Sequence, residues 1–124
     1  MKFAKIVFWI SGVFGVLALA PLYFLFDIAG RLDPPPITHP QFYYGFVGVA
    51  LAFQFVYFVI ATDPVRYRPI MIPGVLGKLS FAGALLVLGQ QGRVAPAVAM
   101  TGIPDALLAV LFLIAFFKTR AIRP

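Results

Sequence analysis

The chain has 124 residues, 62% hydrophobic and 11% charged, with a mean hydropathy of +0.99 and a net charge of +6. It holds no cysteine, which excludes disulfides, thiolate metal sites and dithiol redox chemistry. Its single histidine, His39, stands between Thr38 and Pro40 in a Pro-rich loop, so no haem or multi-ligand metal centre, and no cofactor, is expected.

Four apolar runs follow one another, at about residues 6–26, 42–61, 70–88 and 94–117. Each is long enough, as a helix, to cross a hydrocarbon core of ~30 Å. The connections are short. The expectation is therefore one membrane domain over residues 1–124, an all-α integral membrane protein folded as a four-transmembrane-helix bundle. Four such helices leave room for one small pocket but not for a large cofactor.

The first run follows the basic residues Lys2 and Lys5, and it places Trp9 and Tyr23 near opposite interfaces, where amphipathic rings prefer to sit. Ala18-Leu19-Ala20 imitates a signal-peptide cleavage site. The run continues past it to Phe26, and Pro21 would directly follow the cut, so a retained span is expected. Pro21 is also expected to kink the end of this helix, because it lacks an N–H and crowds the preceding turn. The loop from Asp27 to Gln41 carries Asp33-Pro34-Pro35-Pro36, which favours a stiff, extended segment. A spacer is the simpler reading of that segment, and a lid over an outward-facing mouth the sharper one.

Tyr43 and Tyr44 anchor the start of the second helix, and Asp63-Pro64 ends it, since proline biases the residue before it away from helix. Arg66, Tyr67 and Arg68 fall in the next loop, and the third helix starts around Pro69 or Pro73, both tolerable in a first turn. The turn Gln90-Gln91-Gly92 leads into the fourth helix, which ends at Lys118-Thr119-Arg120. Gly12 with Gly15, Gly45 with Gly48 and Gly74 with Gly77 offer small surfaces for close helix packing inside the bundle, or for a dimer.

Four spans sort the basic residues unevenly. Lys2, Lys5, Arg66, Arg68, Lys118, Arg120 and Arg123 fall on one side, and Arg31 and Arg93 on the other. By the positive-inside rule both termini are cytoplasmic, in the inner membrane, and the charges face anionic headgroups. That distribution points to the lipid bilayer as partner, not to nucleic acid.

Two charges remain inside the apolar runs. Lys78 lies 12 residues before Gln90 and Asp105 lies 12 residues after Arg93. At the helical rise each is about 18 Å below the loop, so they arrive at one level and are expected to pair. Gln54, 12 residues beyond Phe42, reaches the same depth on the second helix. On the first helix that level falls near Gly15, which leaves space. Pro104 breaks the fourth helix beside Asp105 and frees a carbonyl acceptor. A small polar pocket in mid-membrane is the expectation, with Lys78, Asp105 and Gln54 as its cluster. The alternatives are a purely structural lock between the third and fourth helices, and a Lys78 that snorkels towards the cytoplasm. Neither Ser11 nor Ser80 has a histidine partner, and Asp27, Asp33 and Asp63 lie at membrane edges. No catalytic set is therefore assigned, and no metal site.

The stretch Asp63-Pro64-Val65-Arg66-Tyr67-Arg68-Pro69, with Pro73-Gly74-Val75-Leu76-Gly77-Lys78-Leu79-Ser80-Phe81 and Asp105-Ala106-Leu107-Leu108-Ala109-Val110-Leu111-Phe112, resembles small bacterial four-helix membrane proteins of the DoxX-like kind, including the BphX-like group. Members often carry an acidic residue directly before the lysine, where this chain has Gly77. The resemblance implies an accessory membrane role. The expected function is a non-catalytic accessory subunit, with a membrane protein partner or a homodimer, or a binder of a small apolar ligand such as a lipid or quinone. The alternative is an intramembrane enzyme acting on an apolar substrate, isomerase-like or redox-accessory, with Asp105 as proton shuttle.

Overall fold

The computed structural model describes residues 2–120; Met1 and Arg123, the latter among the basic residues sorted above, lie outside the described residues. Its elements are α1 (Lys2–Leu19), a 3-10 turn (Ala20–Phe24), α2 (Phe26–Leu32), α3 (Pro40–Thr62), a second 3-10 turn (Arg68–Ile70), α4 (Met71–Gln90), α5 (Pro96–Met100) and α6 (Ile103–Arg120). Four segments are long and apolar enough to cross a membrane: Lys2–Phe24, Pro40–Thr62, Arg68–Gln90 and Pro96–Arg120.

The prolines act where the chain predicts them to. α1 tightens into a 3-10 turn at Ala20, one residue before Pro21. α3 stops at Thr62, and Asp63 closes the turn by accepting the Arg66 N–H on its carboxylate and the Tyr67 N–H on its carbonyl. Pro69 opens the 3-10 turn before α4, and Pro73 occupies the first turn of α4. The fourth span breaks near Pro104 as expected, and one other segment, the loop after α1, differs from expectation. The span expected over 94–117 is broken at Thr101-Gly102 into α5 and α6, so Pro104 sits in the first turn of α6, where its missing N–H interrupts no helical bond. The loop at 27–41 is not an extended strap. It forms α2, with Asp27 in the first turn and Arg31 in the last, as the helix dipole favours. The proline segment then folds back against Gly30, where a Cβ would stand 3.1 Å from the Pro36 Cα.

α1 packs along both α3 and α6, and α6 packs along α4, whereas α3 and α4 scarcely meet. The bundle is an arc in the order α3, α1, α6, α4. Its closed end lies where α1 and α4 begin and α3 and α6 finish. There Phe8, Tyr57, Ile60, Met71, Val75, Phe112 and Ala115 form a buried core. Phe8 stacks on Phe112 at 4.2 Å between ring centres, and Tyr57 meets Phe112 edge-on at 5.0 Å. Arg68 is part of this end. It is buried, its Nε donates to the Phe116 carbonyl at 2.8 Å and its guanidinium lies 3.6 Å over the Phe116 ring. It therefore faces the last turns of α6, where the helix dipole favours a cation.

Of the paired glycines, Gly12, Gly15, Gly48 and Gly74 pack inside the bundle, against Phe58, Gln54, Tyr23 and the Tyr57–Phe112 rings respectively. Gly45 and Gly77 have nothing within 4 Å of a built Cβ. Gly89 and Gly102 are further close approaches between α4 and the α5–α6 segment, with Cβ positions 2.9 Å from the Ala99 Cβ and 3.3 Å from the Ala82 Cα. Gly74→Val is expected to lower stability by about 1–3 kcal/mol through overpacking. Gly45→Val, with open space around it, is expected to leave the unfolding midpoint in mild detergent nearly unchanged. Equal losses at both positions would remove the packing role assigned to Gly74.

Candidate functional site

Above the aromatic core the arc opens. Between α1, α3, α4 and the α5–α6 junction lies a cavity of about 880 Å³. That is near the upper end of small-molecule pockets, which run to ~1,000 Å³. It is roomier than the small pocket expected from four packed helices, because α3 and α4 do not close against each other along this stretch. Across the gap they are bridged by Phe46 and Phe81, stacked at 5.7 Å between ring centres. The walls are mostly apolar, from Phe14, Leu19, Val49 and Phe53 among others. The polar groups that line the cavity are Gln54, Tyr57, Lys78, Ser80, Thr101 and Asp105.

Lys78 and Asp105 meet as the depth argument predicts. Lys78 Nζ donates to Asp105 Oδ1 at 3.2 Å. The ammonium also lies 5.3 Å from the centre of the Tyr57 ring, a cation–π contact. Lys78 does not snorkel. With its side chain 6% exposed, it is held between a carboxylate on α6 and an aromatic face on α3. Asp105 is the more open member of the pair, its side chain 21% exposed and lining the cavity. The break at Thr101-Gly102 puts it in the first turn of α6, where unpaired N–H groups and the helix dipole favour a negative charge. The Gly102 carbonyl accepts from the Ala106 N–H at 3.0 Å and starts that helix.

Gln54 stands on the same cavity but does not join the ion pair. Its Nε2 donates to the Ala50 carbonyl one turn back, at 2.7 Å. Its carboxamide fills the place a Gly15 side chain would take, so Gly15 supplies the space expected of it. Among the described residues, Gln54 Oε1 and Ser11 Oγ are buried side-chain atoms without a hydrogen-bond partner. An unmade hydrogen bond of that kind is costly in a water-free interior. Tyr57 was the residue that depth counting passed over. It falls three positions after Gln54, on the same face of α3, and that spacing is the signal that finds it.

Among the described residues no three His, Cys, Asp or Glu side chains gather as a metal would need. Asp105 is the one carboxylate among the described cavity-lining residues. The arrangement therefore offers an apolar chamber with one charge pair on its wall, suited to holding a molecule that is mostly apolar with a small polar end. No family model, curated protein or solved structure matches this chain.

The pair yields a double-mutant test. Removing one partner of a buried pair strands the other charge, at a cost of about 3–5 kcal/mol. Asp105→Ala is expected to be the worse single change, because Lys78 has little exposure through which to be solvated. Lys78→Met leaves a carboxylate open to the cavity and is expected to cost less. The double variant should recover most of the loss, read from thermal unfolding in mild detergent. Additive losses would show that the two side chains do not act on each other.

Proposed function

We propose that this protein is a non-catalytic membrane bundle that binds a small apolar molecule, lipid or quinone-like, in the chamber between α3 and α4. The observation that carries the reading is the chamber itself. A bundle whose helices only needed to lock together would close over Lys78 and Asp105, yet here the pair forms part of the wall of an 880 Å³ cavity. The broken fourth span supports it, since irregular backbone within a membrane is tolerated where it lines a cavity. The intramembrane-enzyme alternative calls for several acidic groups around the chamber, and the described lining offers Asp105 alone.

The same reading sets the protein in the cytoplasmic membrane with both termini inside. The support is the gathering of Lys2, Lys5, Arg66 and Lys118 at the closed end, where Lys118 lies over the Phe3 ring. The likeness to the DoxX-like and BphX-like proteins agrees with an accessory role in that membrane and rests on the quoted sequence segments.

A long-chain alkyl diazirine tests binding in reconstituted vesicles. Labelling of cavity residues such as Ala18 and Phe53 is expected to saturate with probe concentration, and to fall sharply in Ala84→Trp, which fills the chamber. Labelling of outward-facing Leu17 and Val59 is expected to rise without saturating and to ignore that change. The same unsaturated labelling at all four positions would leave no bound state to explain.

A further inference from the structure

The chamber's polar wall is asymmetric, and the asymmetry selects among ligands. The ammonium of Lys78 is the buried half of the pair, taken up by Asp105 Oδ1 and by the face of Tyr57. The carboxylate is the half that remains open. Its Oδ2 takes no hydrogen bond from any described residue, and the side chain lines the cavity. Among the neighbouring groups, Gln54 Oε1 is an acceptor without a partner, while the Ser80 and Tyr57 hydroxyls can donate or accept. Thr101 spends its hydroxyl proton on the Val98 carbonyl at 2.6 Å, and Gln54 spends an amide proton on Ala50. At Asp105 the wall thus presents an acceptor short of donors and a partly exposed negative charge, in a place with little water to screen it.

On that basis we infer that the occupant ends in a hydrogen-bond donor, a hydroxyl on an apolar chain, and that the site turns away anions of the same shape. A hydroxyl placed at Asp105 Oδ2 makes a charge-assisted bond to a group otherwise left short of donors. A carboxylate in the same position meets like charge and leaves its own oxygens unpaired there, which is one way a site rejects a near-isostere. A neutral ester falls between, since it accepts but does not donate. The inference rests on the chamber being a binding site and adds the chemistry of the polar end.

Competition against the alkyl diazirine separates the two claims. Hexadecanol, methyl palmitate and palmitate share one chain and differ in the end group. Hexadecanol is expected to displace cavity labelling at a concentration about tenfold or more below that needed for palmitate, the size expected for one hydrogen bond to a charged group. In the Asp105→Ala, Lys78→Met double variant, which retains the fold if the pair is compensated, hexadecanol should lose its lead over methyl palmitate. Palmitate competing as well as hexadecanol on the parent protein would overturn the donor preference while leaving the binding site standing. Saturable labelling that none of the three displaces would also overturn it. Labelling that never saturates would remove the site and this inference together.

Discussion

A lysine and a carboxylate facing each other away from water set the terms for the rest of this bundle. Neither charge is stable alone at that depth, so α4 and α6 are held at the one offset that brings Lys78 Nζ within 3.2 Å of Asp105. Tyr57 extends the constraint to the other two helices. Its ring receives the ammonium from α4, meets Phe112 of α6 edge-on, and leans on Phe8 of α1. One side chain on α3 therefore touches all three partners. Between apolar helices in lipid there is little hydrophobic driving force, so shape and polar contacts of this kind decide which arrangement wins.

Below that level the helices close, and above it they part. Gly74 lets α4 come in against Tyr57 and Phe112, and Arg68 ties the start of α4 to the end of α6. Further along, the large side chains of α3 and α4 do not interdigitate, and Phe46 with Phe81 spans the gap instead. The chamber is the space this leaves. Its wall bears the pair because the pair stands where the packed half of the bundle meets the open half.

Much of this was legible beforehand. Four apolar runs of membrane length, the prolines at helix ends, and the matched depth of Lys78 and Asp105 follow from helical rise and from the cost of an unpaired charge. Gly15 opposite Gln54 was legible for the same reason, since depth alone matched them. The misses share a different cause. Tyr57 drew no attention in the depth count, and only the approach of α4 turns its ring into a seat for a cation. Arg68 looks like a headgroup contact, and only the fold of the α3–α4 turn brings it under α6.

Local chemistry accounts for what the amino-acid sequence determined by itself: which segments are helical and long and apolar enough to cross a membrane, where they break, and which polar groups share a level. These depend on backbone hydrogen bonding in a medium without water, where each segment must satisfy itself. The tertiary structure decided which helices are neighbours, and so that α3 and α4 stand apart, that Lys78 is enclosed and Asp105 open, and that Gln54 turns back to its own helix. Those outcomes depend on how side chains from distant positions fit together. Fit is a property of pairs of surfaces, and no single run of residues contains it.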